Sequence, residues 1–280
     1  MRVRKEVLPV KILYINHYAG SIYHGMEFRP YFMAVEWVKM GHEVTMIAAD
    51  YSHIRGKNPT IDKSFTRENI DGVEYIWIKT NEYQGNGLGR VKNIRAFCRQ
   101  LKRNAGKLAE ELTPDVVIAS STYPFDIYPA ERIAKAAGAK LFFEIHDIWP
   151  QTLIELGGMS AKNPAIMYMQ RAADYALKSS HRVISILPNA DRYLVERGVD
   201  TAKFRPVPNG ILCEDTSEEI PEKDRELLEN LRAEGKFIVM YAGGHALSNA
   251  LEDFISAAGL LDDDKAIVLV GDGVMKPTLI

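Results

Sequence analysis

Short apolar runs alternate along this chain with segments of helical spacing, and most runs end in a polar or glycine-bearing turn. Strands are predicted at 11–15 (KILYI), 43–48 (EVTMIA), 73–79 (VEYIWIK), 116–119 (VVIA), 141–145 (LFFEI), 182–186 (RVISI) and 204–207 (FRPV). Between them, apolar positions spaced for a helix mark 29–40, 90–112, 127–137, 164–177 and 191–197. Phe32, Val35 and Val38 make the stripe of the first helix, and Gly41, Gly138 and Gly198 are the stops. Residues 58–66 are polar and read as loop. Strands alternating with helices predict an α/β fold with a mostly parallel sheet. The nearly unbroken apolar runs predict that both faces of that sheet are covered.

The composition shifts after Gly210. Residues 214–234 are rich in acids and read as a connector followed by a charged helix. The strand pattern then restarts at 237–241, passes Gly243 and Gly244, and continues through a helix at 251–261 and a strand at 267–270. The predicted organisation is a complete Rossmann-like domain over 1–212, a connector over 213–235, and the start of a second Rossmann-like domain over 236–280. Two strands and one full helix do not bury a core alone, so this second domain is expected to be incomplete in these 280 residues.

Charge narrows the classes. Thirty-five basic residues face 37 acidic ones, a net charge of −2 that offers no field for nucleic acid. Two cysteines, Cys98 and Cys213, give no disulfide framework and suit a reducing compartment. The first nine residues mix charge with apolar positions and lack the apolar core of a signal peptide, and no apolar stretch approaches the roughly 20 residues of a spanning helix. The expectation is a cytoplasmic protein, with any membrane contact peripheral.

The chemistry concentrates at 139–150, AKLFFEIHDIWP. A buried strand there delivers His146, Asp147 and Trp149 at its carboxyl end, where open α/β sheets bind ligands. His146 is the candidate catalytic group, with Asp147 as its orienting carboxylate; Trp149 reads as packing. The loop after the first strand carries Gly20, Ser21, His24 and Gly25 and precedes a helix, an arrangement that lets backbone approach a phosphate. Glu27 and Arg29 are candidates to reach the same cleft. A Gly-x-Gly-x-x-Gly fingerprint is absent, which disfavours a dinucleotide-dependent enzyme. Ser120, Ser121 and Thr122 follow another strand and are candidate acceptor-lining groups. Arg95, Arg99, Lys102 and Arg103 fall in an acid-free basic stretch with an apolar stripe at Val91, Ile94, Phe97, Leu101 and Leu108. That pattern fits either a helix lying on anionic lipid or a core helix with a solvated basic face. Asp262, Asp263 and Asp264 read as a solvated loop, the histidines lack zinc spacing, and no metal is implied.

In order, the stretches KILYINHYAG, MGHEVTMIAADYSH, TPDVVIASSTYP, FFEIHDIWPQTL, RVISILPNADRYL, VPNGI, FIVMYAGGHALSNALEDFISAA and IVLVGDG resemble the family 4 glycosyltransferases of the GT-B fold. The EIHDIWP stretch looks most like a branch that assembles amino- and deoxysugar residues of bacterial surface polysaccharides. The resemblance implies a nucleotide-sugar donor, a glycan acceptor that is lipid-linked, transfer with retention of the anomeric configuration, and no cofactor. It implies an acceptor-side first domain, a donor-side second domain that includes Gly243 and Gly244, and a hinge at Pro208-Asn209-Gly210, so Asn209 joins the substrate-binding candidates. It gives Arg95, Arg99, Lys102 and Arg103 a role in contact with the inner face of the cell membrane. The chain departs from the family where paired glutamates are expected beyond Val270-Gly271-Asp272-Gly273; Glu226 and Glu234 share their spacing but lie on the charged connector helix. The alternative is a non-catalytic acceptor- or membrane-binding half that needs a separate donor-binding chain.

Overall fold

The computed structural model describes residues 8–25, 28–85, 87–210 and 219–280. Its two compact units are Met1–Gly210 and Ile211–Ile280. In the first, the strands are β1 (Lys11–Ile15), β2 (Glu43–Ala49), β3 (Thr66–Ile70), β4 (Val73–Ile78), β5 (Val116–Ala119), β6 (Lys140–Ile145), β7 (Arg182–Ser185) and β8 (Phe204–Pro206). They form one sheet in the order β3-β4-β2-β1-β5-β6-β7-β8, parallel throughout except for the β3–β4 hairpin. The chain winds outward from β1 in one direction through β2 and in the other through β5, so the order reverses between β1 and β5. A crevice opens at the carboxyl ends of strands at such a reversal.

The helices are α1 (Phe28–Lys39), α2 (Leu88–Arg103), α3 (Ala105–Leu112), α4 (Ile127–Ala137), α5 (Gln151–Glu155), α6 (Pro164–Ser179) and α7 (Asp191–Glu196). Tyr31 and Ala34 of α1 cover one face of the sheet, packing with Tyr14, Met46, Tyr75 and Trp77. Phe97 and Leu101 of α2, Leu108 of α3, Ile133 of α4, Leu177 of α6 and Leu194 of α7 cover the other. Both faces are buried, as the unbroken apolar runs require.

Three local features differ from the sequence pattern. The helix predicted over 90–112 divides at Asn104, whose side-chain amide donates to the Gln100 carbonyl at 2.8 Å and ends α2. A strand appears at 66–70, where no pattern marks one, because β3 is an edge strand that exposes Arg67, Glu68 and Asn69. Its hairpin turns on Asp71 and Gly72, both at positive φ. The short helix α5 was also not predicted.

The second unit holds α8 (Glu222–Ala233), β9 (Phe237–Ala242), α9 (Leu251–Ala258), β10 (Lys265–Val270) and α10 (Lys276–Leu279). β9 and β10 pair in parallel, with Phe237 opposite Lys265 and Ala242 opposite Val270. A Cβ on Gly271 would lie 1.9 Å from the Gly243 carbonyl oxygen, so the turns after the two strands touch backbone to backbone. Cys213 lies outside the described residues.

Candidate functional site

Strand register builds the site. Ile15, Ala119 and Phe143 are aligned across β1, β5 and β6. The next position in each chain places Asn16, Ser120 and Glu144 in a row at the carboxyl edge, facing α1 as Tyr14 does one alternation earlier. Asn16 donates through Nδ2 to the Ser120 carbonyl at 2.8 Å and reaches Ser120 Oγ at 3.2 Å. Ser120 Oγ lies 2.6 Å from Glu144 Oε2 and 2.9 Å from His146 Nε2. His146 Nε2 is itself 3.5 Å from Glu144 Oε2. Tyr14 donates its hydroxyl to that same oxygen.

Arg29 closes the cluster from α1. Its Nε and Nη2 both donate to Glu144 Oε1, at 3.1 and 2.8 Å. Its remaining hydrogens go to the Val207 carbonyl (2.8 Å), the Pro208 carbonyl (3.2 Å) and Asn209 Oδ1 (3.0 Å). All five guanidinium donors are therefore used inside the protein, and Arg29 joins α1, β6 and the segment after β8. Burial alone would push the Glu144 carboxyl up. Hydrogen bonding and charge from His146, the Arg29 charge and the Ser120 hydroxyl outweigh it and hold the group at about 2. Glu144 is an ionised carboxylate in a buried site.

The carboxylate beside the imidazole is thus Glu144, and not Asp147, which the sequence nominated; Asp147 is exposed. His146, Ser120 and Ser121 are buried. A small cleft, with room for about one water, opens beside them, lined by Ser121, Thr122, Tyr123, His146, Asp147 and Trp149 over an apolar floor that includes Leu177. Asp126 carries the Ser121 amide on Oδ2 at 2.9 Å, and burial raises its carboxyl to about 6.

The loop from Asn16 to Gly25 folds around Arg55. Arg55 donates to the carbonyls of Ala19 (3.0 Å), His17 (3.3 Å) and Asp50 (3.2 Å), and its guanidinium lies 5.2 Å from the Trp77 ring centre. Tyr75 donates to the Gly20 carbonyl at 2.7 Å. Across a trans peptide the N–H points opposite to the C=O, so the amides of Gly20 and Ser21 face away from Arg55 and Tyr75. Ser21 Oγ and His24 Nδ1 bond to each other at 2.8 Å, and burial, with the Arg55 charge, lowers the His24 pKa. Gly25 takes φ +66°, where a side chain would be strained. Glu27 lies outside the described residues. Gly243 and Gly244 belong to the second unit, where Tyr241 and Asn249 donate to the Gly244 carbonyl.

On α2 the apolar stripe is spent on the core: Phe97 and Leu101 are fully buried, while Arg95, Arg99, Lys102 and Arg103 are exposed. Leu88 and Val91, at its first turn, remain exposed beside them. Among the described residues no helix is long and apolar enough to cross a membrane, and no cluster of three His, Cys, Asp or Glu could hold a metal ion.

Sequence reading missed Glu144, Tyr14, Asn16 and Arg55. Glu144 did leave a signal, an acid inside a strand read as buried on both faces. No sequence pattern marks Arg55, whose partners include the distant His17 and Ala19 carbonyls and the Trp77 ring.

A reversal-point crevice edged by strand-end polar groups defines a Rossmann-like α/β protein with its candidate site on the β1–β5–β6 edge. The profile of the Glycosyl transferase 4-like domain family matches residues 24–210, well over half of the chain, and the chain belongs to that family. A Pseudomonas aeruginosa protein named Probable glycosyltransferase WbjE is 22% identical over 196 residues, 70% of this chain and 47% of its own length. The chain thus spans about half of that curated relative. Among solved structures, Anabaena HepE in complex with UDP and glucose superposes with a TM-score of 0.57 at 13% identity, covering 96% of this chain and 63% of that one. The catalytic domain of Arabidopsis thaliana starch synthase IV, bound to ADP and acarbose, gives 0.63 at 13% identity, covering 97% and 70%. These likenesses extend the GT-B fold to this chain.

Proposed function

We propose that this chain carries the acceptor-side part of a retaining glycosyltransferase that moves a sugar from a nucleotide diphosphate donor to a lipid-linked glycan of a surface polysaccharide, without a metal or cofactor. The observation that carries the reading is the buried Glu144–Ser120–His146 cluster at the β5 and β6 ends, one strand away from a loop whose Gly20 and Ser21 amides face away from Arg55 and Tyr75. Transfer passes through an oxocarbenium-like state while a diphosphate departs. His146 is the group to bond a sugar hydroxyl, the amides of Gly20 and Ser21 are the groups to meet departing phosphate, and Thr122 lines the acceptor pocket. UDP in the HepE complex supports a nucleotide-sugar donor. The WbjE likeness supports glycosyl transfer and leaves open the hexosyl or N-acetylhexosaminyl type. At the inner face of the cell membrane, Arg95, Arg99, Lys102 and Arg103 supply the attraction to anionic lipid, with Leu88 and Val91 beside them.

Calorimetric titration of the chain with UDP and GDP sugars tests the reading, with His146→Ala as the control. Micromolar binding that weakens at least tenfold on substitution supports an assembled donor site. No binding by the folded chain means that donor recognition resides in residues other than these, and the alternative of an acceptor-binding half stands.

A further inference from the structure

Ser120 is the joint of the buried chain of hydrogen bonds, and its hydroxyl has one proton to give. Glu144 is ionised and only accepts, and Ser120 Oγ sits 2.6 Å from its Oε2, so the proton points to Glu144. The contact of 2.9 Å with His146 then requires the ring to donate: Nε2 carries hydrogen. The described neighbours of Glu144 and Ser120 support this arrangement. Tyr14 donates to Oε2, Arg29 saturates Oε1 with two hydrogens, and Asn16 holds Ser120 by its carbonyl. Asp147, Tyr123 and Tyr193 are further titratable residues that line the same cleft as His146.

We propose that Glu144 is a positioning residue for His146: acting through Ser120 Oγ, it keeps Nε2 protonated and fixes the ring. Those two properties set the direction of any hydrogen bond between the imidazole and a sugar hydroxyl. The inference rests on the glycosyltransferase reading for what His146 meets, and on this structure alone for the state of the ring.

Glutamine at 144 reverses the chain. Its carbonyl oxygen turns to Arg29, its amide then donates to Ser120 Oγ, and the Ser120 proton swings to His146 Nε2. The test is ¹⁵N-imidazole NMR of the full chain labelled at histidine, with the His146 signals assigned by their loss in His146→Gln. In mildly alkaline solution the wild type is expected as the Nε2–H tautomer. Glu144→Gln is expected to move the tautomer ratio about tenfold towards Nδ1–H, the size of one charge-assisted hydrogen bond. Should that variant not fold, the pair Arg29→Leu with Glu144→Leu removes both buried charges together and reads the same shift. A wild-type Nδ1–H tautomer, or an unchanged ratio in a folded variant, overturns the proposal. UDP-glucose titrated into the same samples separates the two ideas. Failure to bind in the wild type sinks the donor reading and leaves the ring assignment standing. Binding that weakens with the tautomer shift joins them.

Discussion

Arg29 Nη2 lies 2.8 Å from Glu144 Oε1, with both side chains almost wholly buried and 115 residues of chain between them. The pair ties the helix after β1 to the strand that presents His146, and through Val207, Pro208 and Asn209 to the segment that leaves the first unit. It is a joint of the fold as much as of the site.

Breaking that pair from one side leaves a buried charge without its partner. Arg29→Met is expected to cost roughly 3–5 kcal/mol, whereas Arg29→Leu combined with Glu144→Leu recovers most of the loss. Urea unfolding of the single and double variants measures both. A single variant within about 1 kcal/mol of wild type would mean the pair behaves as an exposed one.

Two buried groups contribute opposing slopes to stability against pH. Burial foremost, with the Arg55 charge, takes His17 from 6.5 to about 3. Its neutral ring therefore favours the fold above pH 6.5, and that advantage is lost as the pH falls towards 3. Asp126, raised by burial from 3.8 to about 6, works the other way. Its protonated form favours the fold below pH 3.8, and that contribution is lost as the pH rises through 6. At roughly 1.4 kcal/mol per pH unit for each, the slopes oppose between pH 6 and 4.5. Glu144, taken from 4.5 to about 2, adds loss only below that window. From pH 6 to 4.5 the two contributions thus cancel and leave the loss from His24 and His53, whose pKa values burial lowers, and urea midpoints fall more steeply below that window. Relative to wild type, His17→Gln should gain stability on acidification across the window, and Asp126→Asn should lose it. Parallel profiles for the two variants would contradict the assignment.

Gly72 and Gly41 separate strain from collision. Both have positive φ, but a Cβ at Gly72 would meet Val38 Cγ1 at 2.9 Å, and one at Gly41 would meet nothing within 4 Å. Alanine at either position takes on backbone strain of about 1–2 kcal/mol; Gly72→Ala should cost more than Gly41→Ala. Thermal or urea melts of the two variants give the difference, and equal costs would show that Val38 yields freely.

The basic face of α2 should hold the chain on anionic vesicles by charge. Sedimentation with phosphatidylglycerol vesicles is expected to bring the protein down at low salt and to release it as the Debye length shortens to about 3 Å near 1 M. Changing Arg95, Arg99, Lys102 and Arg103 to glutamate should abolish the binding. Equal binding to neutral phosphatidylcholine would shift the cause to Leu88 and Val91.

The hydrophobic pattern by itself determined every strand but the edge strand β3, and most helices, because burial on both faces of a parallel sheet demands runs such as Leu141 to Ile145, and helix periodicity is equally local. It also placed His146 at a strand's carboxyl end. It misassigned the partner of that histidine, nominating its sequence neighbour Asp147, because adjacency in sequence is all that a pattern can offer. Neighbouring strand residues point to opposite faces, so the group on the same side as His146 is two positions back, at Glu144. Only the strand order sets Ser120 beside it and Asn16 beyond, and only packing of α1 on that face brings Arg29. The direction of the Gly20 and Ser21 amides depends on Arg55 and Tyr75, which arrive from other segments and hold the preceding carbonyls. Periodicity records which face is buried; which residues meet across the buried face is decided when the sheet closes.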